Sequence, residues 1–368
     1  MLQPTNKKII LNPLISIWAI VQLAIVFYYG IYSEQEALKY ISEADYLLKN
    51  GHFSEPKYLF YASYILLHLF MKIIGAGTIG VYLTQLSLNA LATHFFYKLT
   101  LEYTNKYAAN ISTLLLIIFI PYQAWTAHLY TESLFCSCIV FLCYSFLSKN
   151  LSWKKKAISV PLLLMLTILS RPTGLLFIPI IFFAFLLSTR HIKLSYKCLL
   201  AMIVTILFVA ILQYAMYGKG EFNFLKPFVQ EHIICGMPTN NIAFIENDKA
   251  DNALPALWQF ISNHTTTFLK LIGKRLIAFW GLYRTYFSWK HNLMLAFFFY
   301  PVYFLFVAGL KSQFANSRMV FYTSLLTIFI FSVSIVITCD DWHNRFIMPL
   351  VPILLLGTAF TVKKIYKE

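Results

Sequence analysis

Long apolar runs, separated by short polar turns, recur along the whole chain. Several of them approach the roughly 20 apolar residues that a helix needs to cross a bilayer. Backbone groups in hydrocarbon must form their hydrogen bonds internally, and the runs lack the alternation of a barrel, so they predict helices. The pattern therefore predicts an all-α, polytopic integral membrane protein. The main runs are Leu11–Ile31, Ile111–Ile120, Leu134–Leu147, Leu175–Leu187, Leu199–Leu212 and Val320–Ile337.

The composition agrees with a membrane protein and changes the interpretation of the charge. Of the 368 residues, 59% are hydrophobic and 12% are charged, whereas a soluble domain carries about 25% charged residues. The formal net charge of +15 would suit nucleic acid, but the basic residues lie in short loops between apolar runs. In a membrane protein such loops mark the cytoplasmic side. We therefore expect no nucleic-acid partner.

The basic loops predict about ten transmembrane helices, with both ends of the chain inside. The segments 58–74 and 266–287 are placed along the outer interface, because counting both as spans would move three basic loops outside. We interpret residues 1–368 as one transmembrane domain with outer loops 33–78 and 218–290, the first of which contains juxtamembrane helices. The predicted spans are 9–32, 79–98, 108–124, 132–148, 157–170, 174–189, 198–217, 291–310, 319–338 and 346–362.

In this topology every acidic residue except Glu102 and Glu368 lies outside or at the outer end of a span. Ionised groups close to hydrocarbon are costly and commonly mark a functional site. Glu132 begins a helix, where it would equally serve as a cap. Arg171 also begins a helix, where a cation interacts unfavourably with the helix dipole. Its position is explained if the guanidinium binds an anion, either a phosphate or a nearby carboxylate. The candidate site residues are Glu36, Asp45, Glu55, Glu132, Arg171, Asp341, His343 and Arg345.

The six cysteines show no spacing typical of a metal site. Cys235 and Cys339 are the two that this topology places well outside. A disulfide between them is therefore one alternative, although pairing does not follow from sequence alone.

Several short segments, in this order, resemble the GT-C glycosyltransferases, in particular the bacterial branch related to protein O-mannosyltransferases and the lipid A aminoarabinose transferase. The first loop has an acid, a tyrosine and an alanine at spacings of four, followed by two leucines and a glycine, from Glu36 to Gly51. The family most often has aspartate where this chain has Glu36. The other similar segments are EPKYLFYASYILL from Glu55, PYQAWTAHLYTESLF from Pro121, RPTGLLFIP from Arg171 and RFIMPLVPILLL from Arg345.

The resemblance implies an inverting hexosyl or pentosyl transferase that uses a polyprenyl-phosphate-linked sugar donor. The acceptor would be a glycan, a lipid or a protein at the non-cytoplasmic face of the cell membrane, which in that branch is the bacterial inner membrane. A carboxylate base must reach the acceptor hydroxyl, and we expect Glu36 in that role, with Asp45 in reserve. Arg345 and Arg171 are expected to stabilise the departing phosphate.

The remaining candidates have supporting roles in this interpretation. Glu55 and Glu132 would orient sugar hydroxyls or the acceptor. Some relatives hold a divalent cation, for which Glu55, Asp341 and His343 are candidate ligands, although an outer histidine such as His343 more often forms a hydrogen bond. No cofactor is otherwise expected.

Two other classes of membrane protein share some of these features. A polysaccharide polymerase or ligase would use the same face and a similar leaving group, and the acid-rich first loop favours the monosaccharide transferase. A flippase or transporter of lipid-linked sugars would place binding groups near the bilayer midplane, often in repeated halves. In this sequence the ionisable groups gather at the outer edge instead.

Overall fold

The computed structural model describes residues 13–189, 193–216, 226–237, 258–259 and 261–366. Within these ranges the regular elements are all helical, and the extended contacts are isolated bridges. The helices are α1 Pro13–Tyr29, α2 Glu36–Asn50, α3 Ala62–Ile73, α4 Gly77–Tyr103, α5 Lys106–Ile118, α6 Ile120–Gln123, α7 Thr131–Leu147, α8 Trp153–Ile168, α9 Phe177–Ser188, α10 Leu194–Met216, α11 Lys226–Val229, α12 Thr265–Gly281, α13 Trp289–Asn316, α14 Arg318–Ile337 and α15 Val351–Ile365.

The all-α membrane architecture predicted from the sequence is confirmed. Among the described residues, α13, α14 and the segment Arg345–Ile365 are long and apolar enough to cross a membrane, and α5 with its bent continuation makes a fourth. Further apolar helices are shorter, such as α1 and α7. The count of ten spans stays a prediction, and residues 9–12, residue 217 and much of 218–290 lie outside the described residues.

The predicted span 108–124 is wrong as one continuous helix. Helix α5 ends at Ile118, and the next helical segment, Ile120–Thr126, is inclined to it by 67°. Pro121 explains the break, because it has no N–H to donate to the carbonyl four residues earlier and its ring would clash there. The break turns the chain into a short loop that leads to α7.

The two segments placed along the interface are helical. The first contains α3, whose 12 residues span about 18 Å at 1.5 Å per residue, less than the thickness of a bilayer core. The second corresponds to α12, which carries the exposed apolar side chains Leu269 and Ile277. Their position relative to the membrane stays a prediction.

Helix α15 lies in the centre of the bundle. All its residues from Val351 to Val362 are buried by protein, as expected for a helix that is apolar all round. It packs closely on α13, since a Cβ added at Gly309 would lie 2.7 Å from the carbonyl oxygen of Gly357. Close approach at small residues is typical of helices that pack in membranes. The central helix therefore fixes the position of Arg345, which begins the helical turn immediately before it.

Candidate functional site

Glu36 occupies the first position of helix α2, directly after Gln35, whose φ is +53°. Its Oε1 accepts a hydrogen bond from the hydroxyl of Tyr40 at 2.8 Å, because residues four apart share one face of a helix. Burial and the neighbouring carboxylate of Glu36 raise the pKa of Tyr40 well above its usual value. The Tyr40 hydroxyl therefore stays protonated and donates. The other oxygen, Oε2, accepts from Arg345 Nη1.

Glu132 is the second residue of α7, and its side chain is buried. Its Oε1 accepts from Arg345 Nη1 at 2.9 Å and forms an ion pair with Arg171 Nη1. The N-cap residue of α7 makes no side-chain cap bond, and the Glu132 carboxylate contacts both guanidinium groups. Burial alone would lower the pKa of Arg171, but Glu132 more than offsets this and the pKa is raised. Arg171 thus forms a salt bridge with a nearby carboxylate, and its contact with a phosphate stays a prediction.

Arg345 joins three carboxylates that come from distant parts of the chain. Its Nη1 contacts Glu36 and Glu132, which lie 309 and 213 residues earlier. Its Nε contacts both oxygens of Asp341 at 3.1 and 3.2 Å, and Nη2 lies 3.1 Å from Asp341 Oδ2. Arg345 directly follows Asn344, which has a φ of +56°. Both members of the Glu36–Arg345 pair thus follow a residue in the left-handed region, where backbone cost is tolerated mainly at functional sites.

These five side chains, Glu36, Glu132, Arg171, Asp341 and Arg345, are called the carboxylate–arginine cluster below. It holds three carboxylates and two guanidinium groups, with a formal charge of −1 when all are ionised. Removing one partner from a buried ion network leaves an uncompensated charge, which is strongly destabilising. Each charged side chain of the cluster therefore depends on the others to compensate its charge.

His343 and a group of aromatic rings lie beside the cluster. Burial lowers the pKa of His343, although Asp341 opposes the shift, so the imidazole is neutral at pH 7. The ring of His128 contacts those of Tyr32 and Trp125 at centroid distances of 5.2 and 5.5 Å. Sequence reasoning missed His128, whose only signal was its place four residues before Glu132.

The loop that carries Asp341 and Arg345 is held by contacts that sequence reasoning also missed. Arg284 and Asp340 form a buried ion pair, and Arg284 Nη2 also donates to the Asp341 carbonyl at 3.2 Å. Cys235 and Cys339 form a disulfide, as one alternative predicted. Backbone bonds from Cys235 N to Asp340 O and from Asp340 N to Ile233 O run beside it, at 2.8 and 2.9 Å. The adjacent acids in CDDWHNR were the available signal, but Arg284 lay in a segment assigned to the interface.

Asp45 and Glu55 lie apart from the carboxylate–arginine cluster. Asp45 follows Glu36 by nine residues, which is two and a half helical turns, so it faces the opposite side of α2. It pairs there with Lys72, while Glu55 pairs with Lys57 at 3.0 Å. Asp45 and Glu55 are both substantially exposed.

The candidate ligands for a divalent cation are not brought together. Both oxygens of Asp341 are taken up by Arg345, and Oδ1 also accepts from the backbone N–H of His343 at 2.8 Å. Across the described part of the chain, no group of three or more His, Cys, Asp or Glu side chains is arranged to hold a metal. These residues therefore do not fit a metal site.

The sequence matches a family described as dolichyl-phosphate-mannose-protein mannosyltransferase over residues 60–214, which is less than half of the chain. No curated protein sequence matches the chain significantly. Solved structures match over nearly the whole chain.

The fold is similar to that of ArnT from Cupriavidus metallidurans in the apo state. The TM-score is 0.52 at 10% sequence identity, over 97% of this chain and 59% of that one. It is also similar to the archaeal oligosaccharyltransferase AglB from Archaeoglobus fulgidus in complex with an inhibitory peptide and a dolichol-phosphate. That TM-score is 0.51 at 16% identity, over 96% of this chain and 50% of that one. The chain thus spans between half and three fifths of these proteins, and its resemblance to the GT-C fold, predicted from sequence, is confirmed.

Proposed function

We propose that this chain, which has the fold of the GT-C glycosyltransferases, is an inverting transferase that takes a sugar from a polyprenyl-phosphate carrier. The acceptor is a hydroxyl of a glycan, a lipid or a protein at the non-cytoplasmic face of the cell membrane. In bacteria this membrane is the inner membrane. The description of the matched family and the dolichol-phosphate bound to AglB support a donor linked through a lipid phosphate. The site lies at the end of the bundle that the charge pattern places outside.

The observation that carries this proposal is the convergence of Glu36 and Glu132 on Arg345. These residues belong to three separate elements and meet at a guanidinium that is 14% exposed. A carboxylate next to a guanidinium supplies the two chemical roles that the transfer needs, a proton acceptor and a cation for phosphate.

The contacts suggest how donor binding prepares the base. Arg345 Nη1 is shared between Glu36 and Glu132. A phosphate that binds this guanidinium in a bidentate fashion would displace Glu36 from Nη1. The released carboxylate, still oriented by Tyr40, is then free to accept a proton.

The transfer itself is a single displacement. The acceptor oxygen attacks the anomeric carbon while its proton moves to the Glu36 carboxylate. The bond from that carbon to the phosphate oxygen breaks, and the lipid phosphate leaves with the electron pair. Arg345 and Arg171 stabilise the charge that develops on the phosphate, and Glu132 holds both guanidinium groups in place. Attack opposite the leaving group inverts the configuration.

Binding is tested with polyprenyl phosphate and, as a matched control, polyprenol, which lacks the phosphate. We expect polyprenyl phosphate to raise the melting temperature of the purified protein and polyprenol to have little effect. Arg345→Ala should remove the difference between the two lipids. An unchanged affinity for polyprenyl phosphate in Arg345→Ala would exclude the phosphate role of this residue.

Transfer is tested in proteoliposomes with labelled polyprenyl-phosphate hexose and pentose donors. We expect release of polyprenyl phosphate and labelling of an acceptor, and the preferred donor distinguishes hexosyl from pentosyl transfer. Movement of the intact donor across the bilayer, with no cleavage of the sugar–phosphate bond, would favour a flippase and overturn the proposal.

A further inference from the structure

A buried glutamine lies beside the loop that leads to Glu132. Gln85 of α4 is fully buried, and all its polar atoms have partners. Its Nε2 donates to the carbonyl oxygens of Thr126 and His128, both at 3.1 Å. Its Oε1 accepts from the hydroxyl of Tyr64 at 2.5 Å. The amide therefore connects α4, α3 and the loop that follows the break at Pro121.

The loop held by Gln85 pairs with the end of the first helix. Tyr32 and His128 form a parallel bridge, with backbone bonds from Tyr32 N to Ala127 O at 2.8 Å and from Leu129 N to Tyr32 O at 2.9 Å. The two carbonyls that Gln85 binds, at Thr126 and His128, flank Ala127 of this bridge. Through these two carbonyls, Gln85 thus holds the segment of the bridge that contains His128.

The bridge sets the position of both glutamates of the cluster. Glu36 lies four residues after Tyr32, and Glu132 lies four residues after His128. The bridge holds two segments of the chain in register. Because both glutamates lie four residues beyond it, their carboxylates contact the same Arg345 nitrogen. A second route leads to the same place, because Tyr64 packs edge-on against Tyr40 at 5.3 Å, and Tyr40 donates to Glu36.

We infer that Gln85 is a positioning residue of the site, which holds the Tyr32–His128 bridge and through it the spacing of Glu36 and Glu132. It acts through these residues and touches no substrate. The catalytic part of this inference rests on the proposed function; the structural part does not. Arg345 is also held by Asp341 of its own loop, a contact that does not involve the bridge, so donor binding should depend on Gln85 less than the transfer step does.

The test uses Gln85→Met, which keeps the length of the side chain and removes its three hydrogen bonds. Gln313→Met is the matched control, because Gln313 is also fully buried in a long helix and both atoms of its amide lack hydrogen-bond partners. Hydrogen exchange is measured in both proteins at the Tyr32 and Leu129 amides, which donate the two bonds of the bridge. We expect exchange to be about tenfold faster at these amides in Gln85→Met, and unchanged there in Gln313→Met.

Activity gives the second readout. In Gln85→Met we expect kcat to fall by about 10- to 100-fold, since a small misplacement of a reacting group costs that much, while KM for the donor changes less than about twofold. Gln313→Met should retain both constants. An equal loss through KM alone would overturn the positioning role.

Exchange and activity also separate the two proposals. If wild type transfers no sugar, the proposed function fails, whereas exchange still decides whether Gln85 holds the bridge. Unchanged exchange at the two amides, or equal acceleration throughout α4 and α7, overturns the inference. If Gln85→Met does not fold, Gln85→Asn decides, because the shorter side chain stays polar but withdraws its amide from the carbonyls of Thr126 and His128. Faster exchange at the bridge supports the inference, and unchanged exchange overturns it.

Discussion

The two faces of helix α2 place the acids of one segment in opposite surroundings. On one face Glu36 contacts Arg345, 309 residues away, in a largely buried network. On the other face Asp45 pairs with Lys72 at the surface, where the two side chains are 38% and 51% exposed. Both contacts are ion pairs by geometry. Because solvent screens the second and side-chain entropy opposes it, exposed pairs of this kind contribute about 0–1 kcal/mol.

The difference shows that sequence proximity is a poor guide to which acid belongs to a site. Nine residues separate Glu36 from Asp45, yet the helix directs them apart, whereas Glu36 and Glu132 converge from different helices. Substitutions on the two faces should therefore have very different consequences.

The largest effect is expected for Arg345→Ala. It leaves Glu36, Glu132 and Asp341 without their shared cation and removes a group that stabilises the leaving phosphate. Transfer should fall by about 10³-fold, and the free energy of unfolding by about 3–5 kcal/mol. The control is Lys72→Ala on the other face, which should change stability by less than about 1 kcal/mol. Thermal unfolding and transfer rates measure both, and similar losses in the two variants would erase the contrast.

The next effect is expected for Glu36→Gln, which keeps the size of the side chain and removes the base. Transfer should fall by about 10²- to 10⁴-fold, while the protein remains folded. Asp45→Asn should keep at least half of the activity. Full activity in Glu36→Gln together with inactivity in Asp45→Asn would reverse the assignment of the base.

Loss of the Cys235–Cys339 disulfide should act mainly on stability. We expect Cys235→Ser to lower the free energy of unfolding by about 2–4 kcal/mol and transfer by less than Glu36→Gln does, since the adjacent backbone bonds remain. Cys198→Ser is the control, because Cys198 is free and exposed. If a reductant destabilises Cys235→Ser as much as wild type, the disulfide is not the source of the effect.

The smallest effect concerns pH. Burial lowers the pKa of His343 in the folded protein, so the unfolded chain takes up its proton first as the pH falls. Stability is therefore lost on going from pH 7.5 to pH 5.5. In His343→Asn this loss should be smaller than in wild type. Melting temperatures at the two pH values provide the measurement.

The helical membrane fold was predictable because long apolar runs allow few alternatives in a bilayer. The break after Ile118 was also signalled by Pro121, but the apolar sequence around it favoured one continuous span. Sequence therefore predicted the class of structure well and the path of the chain less well.

The site was predictable in part. The sidedness argument predicted one cavity for the early acids and the late arginine, and the structure brings Glu36, Glu132, Arg171, Asp341 and Arg345 together. It does not do so for Asp45 and Glu55. Arg284 and Gln85 were missed because their roles depend on partners that no local pattern relates to them.

The central position of α15 has a consequence for biosynthesis. Glu36 is translated 309 residues before Arg345, which corresponds to roughly 15–60 s at the usual rates of elongation. Glu132 can pair with Arg171 soon after both have been translated, but Glu36 gains its guanidinium partner only when α15 docks among helices made before it. Inserting this helix and completing the carboxylate–arginine cluster are therefore one late event in the maturation of the protein.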